Sequence, residues 1–150
     1  MNKGMTPDEL VEYVKLPANL AKKGYLGEYY GSVAWSVRSI FNGYVGWFDG
    51  NPTNLHRFSP QEEAKRMSSL AGGQEMLLKQ AQSALGSGDF QWAAQLSDYL
   101  LALDKRAVSP REIKAQALEA LAERQMNALG RNYCLTVAQE LRREMDSLKK

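Results

Sequence analysis

The chain has few of the side chains from which enzymes build metal centres and nucleophilic sites. It contains one histidine, His56, and one cysteine, Cys134, among 150 residues. A hydrolytic zinc site needs at least three converging ligands, and no HxHxD, HExxH, CxxC, phosphate-loop or GxSxG pattern occurs. We therefore expect no metal site and no catalytic residue here. His56 is expected at the surface or at a cap, and Cys134 in the core.

The chain also has no large excess of one charge and no long apolar run. The 19 basic and 17 acidic residues nearly balance, with no clustered positive surface of the kind that nucleic acid requires. No apolar run approaches the roughly 18 residues of a membrane span. Residues 1–10 are polar, so no signal peptide is expected, and the cellular location of the protein stays open.

Three segments carry the same helix-start signal: Thr6–Glu9, Ser59–Glu62 and Ser109–Glu112. Each offers an N-cap hydroxyl, a proline at the first helical position and a glutamate that can complete a capping box. No period-2 strand pattern of useful length occurs. The sequence therefore predicts an all-α fold with helices that begin at these three places.

Glycines and apolar periodicity predict the remaining helices. Gly72-Gly73 should separate two helices, and Gly86–Asp89 should turn the chain into a helix over Phe90–Leu103. A last hairpin is expected to run from Pro110 to about Leu129, turn at Gly130 and return to Leu148. Its second helix has an apolar stripe made of Cys134, Val137, Ala138, Leu141, Met145 and Leu148.

Residues 75–106 follow the pattern of a tetratricopeptide repeat, with small residues where two helices touch and a glycine between them. The next hairpin fits less well. We expect one domain over 1–150, in which an aromatic segment (1–58) precedes stacked helical hairpins (59–150), with a tetratricopeptide-like pair in the C-terminal half. The matching positions are Ala81, Gly88, Asp89, Phe90, Ala93, Leu100, Leu101 and Leu103.

The segment from Tyr25 to Asn54 holds eight of the fourteen aromatic residues. Its spacing predicts a helix from about Ser32 to Phe48 with one face toward the core. The opposite face carries Trp35 and Arg38 among small and polar residues, which suggests a second partner. The core-facing set is Val33, Val37, Ile40, Phe41, Tyr44 and Phe48, and the opposite set adds Ser39, Asn42 and Gly46.

Five blocks of the sequence resemble, in the same order, the dimerisation domain of the zinc-dependent alkyl/aryl-sulfatases of the metallo-β-lactamase superfamily. The similarity reaches from about Met1 to Arg142. The blocks are EYYGSVAWSVRSIFNGYVGWFDGNPTNL, SPQEEAKRM, AGG, GDFQWAAQLSDYLLALD and RNYCLTVAQELR. In that family the helical domain follows a zinc-binding catalytic domain, precedes a sterol-carrier-like domain and intertwines with a second copy.

The resemblance implies a homodimer, an upstream metallo-β-lactamase-like domain that holds the zinc, and a chain that is a segment or truncated relative of a longer sulfatase. It implies no metal residue here. The candidate pocket-lining residues are Trp35, Arg38, Tyr44, Trp47 and Asn51. The candidate dimer-interface residues are Tyr29, Tyr30, Trp35, Phe41 and Trp47.

Chemistry leaves alternatives open at several of these positions. Arg38 could hold two sulfate oxygens or pair with a carboxylate. Asp49, Asn51 and Asn54 have the composition of a turn. Three functions remain: an association domain of an alkyl sulfatase, which we favour, a free-standing tetratricopeptide-like adaptor with a groove over residues 75–148, and a small intact enzyme.

Overall fold

A computed structural model describes residues 3–148, and every regular element within this range is a helix, as predicted. Two 3₁₀ turns, Gly24–Leu26 and Pro52–His56, complete the regular structure. The α-helices are α1 (Pro7–Tyr13), α2 (Ala18–Ala21), α3 (Val33–Val45), α4 (Pro60–Ala71), α5 (Gln74–Ser87), α6 (Phe90–Leu103), α7 (Val108–Glu123) and α8 (Ala128–Leu148).

The helices fall into two compact units. The first comprises the chain up to Arg57 together with Met126–Leu129, and the second comprises Phe58–Gln125 and the chain from Gly130 onward. The second unit holds nearly all of the core. Leu77 and Leu96 are each 1% exposed at the centre of its main cluster, and burying a leucine contributes about 1.5–3 kcal/mol.

Alanines let the helices of the second unit approach one another closely. Ala81, Ala93 and Ala117 are fully buried in the main cluster, and Ala115 and Ala138 in a smaller cluster beside Leu141. Small side chains at contact points bring helix axes together without voids, as close packing requires. The second unit is therefore a densely packed helical array.

Most predicted helix ends are confirmed. Thr6 forms a complete capping box with Glu9, and the hydroxyl of Ser59 accepts a hydrogen bond from the N–H of Glu62. Gly72, at φ 91°, ends α4 in the left-handed conformation that glycine adopts without strain. The helix expected over Phe90–Leu103 has those bounds, and the side chain of Asp89 caps it by accepting from the N–H of Trp92 at 3.3 Å.

Two predicted boundaries of the last hairpin are wrong. Helix α7 begins at Val108 rather than Pro110, so Ser109 lies inside its first turn and does not cap it. Pro110 is tolerated there because the first N–H groups of a helix have no intrahelical acceptor. Gly130 is not a turn: α7 already ends at Glu123, and Gly130 is buried within α8.

A buried arginine fixes the start of α7. The guanidinium of Arg111 donates to the carbonyls of Ala107, at 2.6 Å, and of Lys105, and to the carboxylate of Glu144 in α8 at 3.0 Å. Arg111 is 8% exposed, so its donors are satisfied by protein rather than by water. Arg111 therefore ties the α6–α7 connection to α8.

A second arginine joins α7 to α8 near the surface. Arg142 makes a two-pronged contact with Glu119, each N–O distance being 2.9 Å, and a longer one with Glu112 at 3.3 Å. The hydrogen bonds from Arg142 lower the pKa of the Glu119 carboxyl group. Because both partners are about 40% exposed, solvent screens this pair.

Candidate association surface

Two side chains cap the N-terminus of α3, the helix at the centre of the aromatic segment. The hydroxyl of Ser32 accepts from the N–H of Trp35 at 3.0 Å, and the carboxylate of Glu28 accepts from the N–H of Val33 at 2.6 Å. The helix ends at Val45 because Gly46 follows at φ 84°. The prediction that it extends to Phe48 is therefore wrong by three residues.

Only part of the predicted apolar face of α3 meets protein. Phe41 is 5% exposed and Val37 is half-buried, in contact with the side of α1. Ile40 and Tyr44, which were expected to face the core, are 53% and 81% exposed. The reason is that α1 has 7 residues and α3 has 13, so α1 is too short to cover the whole face.

An apolar hollow lies where this cover is incomplete. It has a volume of 220 Å³. It is lined by Leu10 and Val14 from the α1 side and by Val37, Ile40 and Phe41 from α3. No polar or charged side chain lines it. The sequence did not reveal this hollow, because it arises from the short length of α1 rather than from any motif.

Trp35 and Arg38, predicted together on the side of α3 opposite its apolar face, have different surroundings: Trp35 is exposed, whereas Arg38 contacts α1, the helix that packs on the apolar face. Trp35 is 45% exposed. A guanidinium nitrogen of Arg38 lies 2.6 Å from a carboxylate oxygen of Asp8, with side chains 49% and 82% exposed. Such exposed pairs contribute only about 0–1 kcal/mol. Arg38 thus makes the carboxylate contact that the sequence left as one alternative, and Asp8 had no signal beyond its place in the first turn of α1.

An open cavity of 630 Å³ adjoins this ion pair. Acidic side chains dominate its polar lining, so Arg38 supplies the single positive charge there. The lining residues are Met5, Asp8, Glu9, Val11, Glu12, Tyr13 and Arg38.

The segment after α3 is a turn held by its own side chains. A carboxylate oxygen of Asp49 accepts from the N–H of Asn51 at 3.0 Å, and the other accepts from the amide of Asn54 at 2.5 Å. The backbone hydrogen bond from Asn51 is the main cause that lowers the pKa of Asp49. Asn51 in turn accepts from the N–H of Thr53 at 3.1 Å. These residues therefore form a turn, as their composition predicts.

The other aromatic residues of the candidate interface are exposed to different degrees. Tyr30 is 75% exposed and Trp47 is 70% exposed, with the Trp47 ring in edge contact with Phe48 at 5.9 Å between centroids. Tyr29 is 42% exposed, and its carbonyl accepts from the N–H of Ala128 at 2.6 Å. Of the candidate interface residues, Phe41 alone is buried.

His56 and Cys134 are the residues whose side chains are most often used as metal ligands or nucleophiles. His56 is exposed at the end of a 3₁₀ turn. Cys134 is half-buried 3.9 Å from the side-chain nitrogen of Gln125, and burial raises the pKa of its thiol. Over residues 3–148 no group of three or more potential metal ligands comes together, and no helix in that range is long and apolar enough to cross a membrane.

Comparison with known proteins places this geometry in a family. The chain is 47% identical over 147 residues to a linear primary-alkylsulfatase of a Pseudomonas species, covering 97% of this chain and 28% of that protein. It is 32% identical to the alkyl/aryl-sulfatase BDS1 of Saccharomyces cerevisiae, covering 95% of this chain and 22% of that protein. The chain thus spans roughly a quarter of the length of these relatives.

A solved structure agrees. The stereoselective inverting sec-alkylsulfatase Pisa1 from Pseudomonas superposes with a TM-score of 0.88 at 42% identity, over 95% of this chain and 23% of that one. The model of the family described as alkyl sulfatase dimerisation matches residues 6–144. This chain therefore belongs to the alkyl sulfatase dimerisation family.

Proposed function

We propose that this chain is an association domain that joins two copies of an alkyl/aryl-sulfatase. One observation carries the proposal: 16 of the 22 large hydrophobic side chains that are exposed in residues 3–148 belong to the first unit. In the same unit Phe41 is the one buried apolar residue among those described. Exposed apolar surface on this scale is typical of a protein–protein contact.

The composition of this surface supports the same conclusion. Tyrosine and tryptophan are enriched at interfaces and lysine and glutamate are depleted there. The candidate interface set that follows from the family resemblance is Tyr29, Tyr30, Trp35, Phe41 and Trp47. In this set Phe41 would act from beneath, as the floor of the apolar hollow, and the others by direct contact.

For the parent protein we propose zinc-dependent hydrolysis of alkyl sulfate esters. The similar proteins are alkylsulfatases, which supports hydrolysis of alkyl sulfate esters, and their greater length leaves room for a catalytic domain outside these residues. The described residues offer no set of metal ligands, so the zinc would be held elsewhere in the parent protein.

We also propose that residues of the first unit line part of the substrate pocket of the parent enzyme. The residues concerned are Trp35, Arg38, Tyr44, Trp47 and Asn51. Arg38 is the member with suitable chemistry, because a guanidinium that is half-exposed beside one carboxylate retains donors for a sulfate group. We also propose that α5–α8 stack as tetratricopeptide-like hairpins, which the buried alanines of α5, α6 and α7 support.

Sedimentation velocity on the chain from about 1 to 100 µM tests the association. We expect a dimer at micromolar concentration. A strictly monomeric protein over the whole range would contradict the proposal.

A matched pair of tyrosines locates the contact. Tyr30 in the first unit and Tyr133 in the second are 75% and 74% exposed. We expect Tyr30→Ser to weaken the dimer and Tyr133→Ser to leave it unchanged, because removing an equally exposed ring matters only inside the contact. Equal effects of the two variants would mean that the first unit is not the association surface.

A further inference from the structure

Two residues of the first unit stand directly before a glycine and can react with its backbone nitrogen. Among the aspartates and asparagines of the sequence, Asn42 and Asp49 alone are followed by glycine. In such a pair the glycine nitrogen can attack the side-chain carbonyl carbon of the preceding residue and close a succinimide ring. Glycine favours this attack because it has no side chain to hinder the approach. The local structure therefore decides which of the two pairs reacts.

Helix α3 prevents the reaction at Asn42. Asn42 and Gly43 lie inside α3 (Val33–Val45), where each N–H donates to the carbonyl four residues earlier. The N–H of Gly43 is thus committed to the helix, and the carbonyl of Asn42 accepts from the N–H of Gly46 at 3.0 Å. Ring closure at Asn42 would require the last turn of α3 to unfold.

The pair Asp49-Gly50 lies outside any helix. It stands between α3 and the 3₁₀ turn Pro52–His56, and Gly50 is exposed at φ 89°. A side chain built on Gly50 would meet no atom within 4 Å, so the backbone at this point is uncrowded. Ring closure here needs a local rotation of the backbone and no loss of helix.

Two hydrogen bonds hold the side chain of Asp49 in the form that reacts slowly. One carboxylate oxygen accepts from the N–H of Asn51 at 3.0 Å, and the other accepts from the side-chain amide of Asn54 at 2.5 Å. The bond from Asn51 is the main cause that lowers the pKa of Asp49, and the bond from Asn54 acts in the same direction. A carboxyl group must be protonated for its hydroxyl to leave as water, so both bonds oppose ring closure.

We propose that Asp49 is a site of spontaneous covalent modification, at which aspartate converts to isoaspartate, and that Asn54 slows this conversion in the folded chain. The contact of Asn54 with Arg57 supports the second part. The side-chain oxygen of Asn54 accepts from the guanidinium of Arg57 at 3.2 Å, which directs the amide nitrogen of Asn54 toward Asp49. The proposal does not depend on association of the chain.

The conversion uses water and no other reactant. The nitrogen of Gly50 bonds to the Cγ atom of Asp49 and loses its proton, and the carboxyl hydroxyl leaves as water. A water molecule then opens the ring at the original backbone carbonyl. The chain now continues through Cγ, and the carboxylate remains on Cα. The product contains the same atoms as the reactant.

Isomerisation would remove the turn that protects Asp49. The main chain becomes one carbon longer, and the carboxylate lies one carbon closer to it. The present contacts of the carboxylate with Asn51 and Asn54 therefore cannot both be kept. Conversion at Asp49 would mark chains in which this turn has opened permanently.

The first test uses the two pairs as references for each other. The chain is incubated at neutral pH, folded and in guanidinium chloride, and its peptides are fragmented in a mass spectrometer to detect isoaspartate at Asp49 and deamidation at Asn42. In denaturant Asn42 should react faster, because the carboxyl group of an unfolded aspartate is ionised at neutral pH. In the folded chain the order should reverse, with isoaspartate at Asp49 and Asn42 intact. If Asn42 reacts first in the folded chain, or isoaspartate does not form at Asp49, the proposal is overturned.

The second test removes the bond from Asn54. We expect Asn54→Ala to form isoaspartate at Asp49 at least about threefold faster, since hydrogen bonds to an ionised acceptor are the stronger kind. The matched control is Thr53→Ala, because Thr53 contacts this turn through its backbone N–H, which the substitution keeps. Its rate should equal that of the wild type.

Asn42 also reports whether Asn54→Ala leaves the unit folded. Faster reaction at Asp49 with Asn42 intact supports the role of Asn54. Faster reaction at both residues would mean that the variant opens α3, and an unchanged rate at Asp49 would mean that Asn54 gives no protection. Either result contradicts the protective role of Asn54.

A third variant assigns the site. Asp49→Glu keeps the carboxylate but would have to close a larger and less favourable ring. Methylation of the aged chain by an isoaspartate-specific methyltransferase should therefore fall to the level of the fresh protein in this variant. If the aged variant accepts as much methyl as the aged wild type, the isoaspartate lies elsewhere and the proposal is wrong.

Discussion

Arg111 should stabilise the second unit through two backbone carbonyls rather than through its ion pair. The carbonyls of Lys105 and Ala107 lie at the start of α7 and accept from a guanidinium that is 8% exposed. Its carboxylate partner, Glu144, is 57% exposed and can be solvated when left alone. A mutation of Arg111 should therefore lower the free energy of unfolding more than a mutation of Glu144.

The magnitudes follow from these exposures. A hydrogen bond to a charged group contributes about 1.5–3 kcal/mol, and loss of both carbonyl contacts could cost up to about 6 kcal/mol. Water can reach part of the exposed connection before α7, and a methionine would fill part of the volume, so we expect Arg111→Met to cost about 3 kcal/mol. Glu144→Gln should cost less than about 1 kcal/mol, as for other exposed pairs.

Urea unfolding followed by far-ultraviolet circular dichroism measures both changes. With a typical dependence on denaturant, about 3 kcal/mol moves the midpoint by roughly 1–2 M, while the slope should not change. Arg142→Met provides a control, since Arg142 makes comparable ion pairs at 41% exposure and should shift the midpoint little. If Glu144→Gln destabilises as much as Arg111→Met, the ion pair dominates and the reasoning from the carbonyls is wrong.

Two further predictions concern a pair of glycines and one carboxylate. Gly88→Ala should destabilise by about 1–2 kcal/mol because Gly88 has φ 80°, whereas Gly86→Ala inside α5 should stabilise by roughly 0.5–1 kcal/mol, both measured by urea unfolding. The lowered pKa of Glu119 means that its contribution is complete above its unfolded value, about 4.3, and is lost as pH falls through the folded pKa. Glu119→Gln should therefore flatten stability against pH below about 4.3, and an unchanged slope would contradict this.

Local signals predicted helix ends where the ends are made locally. The capping box at Thr6, the N-cap hydroxyl of Ser59 and the left-handed glycine at Gly72 depend on groups within a few residues, and all three are where the sequence indicated. The glutamate half of the box predicted at Ser59 differs, because the carboxylate of Glu62 pairs with Lys65 and Arg66.

Ser109 carries the same signal but does not begin a helix. There the guanidinium of Arg111 binds the carbonyls of Ala107 and Lys105, four and six residues earlier, and the carboxylate of Glu144 in α8, and α7 begins at Val108. Side-chain contacts that the hydroxyl signal does not reveal therefore accompany the earlier start.

The association surface could be predicted in composition but not in shape. The concentration of aromatic residues around α3 and the unusual position of Trp35 were visible in the spacing of residues. The exposure of Ile40 and Tyr44 was not, because periodicity shows which residues share a face and not how long the covering helix is. The hollow results from that difference in length between α1 and α3.

The first unit also raises the question of what keeps it folded. Helices shorter than about 12–15 residues are marginal in isolation, and α1 and α3 have 7 and 13 residues. One buried apolar side chain, Phe41, cannot offset the conformational entropy of ordering more than 50 residues. Under the proposed association, the contact that covers the exposed aromatic residues would supply much of the stability of this unit, so its folding and its association would be linked. Such a link would account for the many tyrosines of the segment, since this side chain tolerates water before assembly and provides a large apolar ring afterwards.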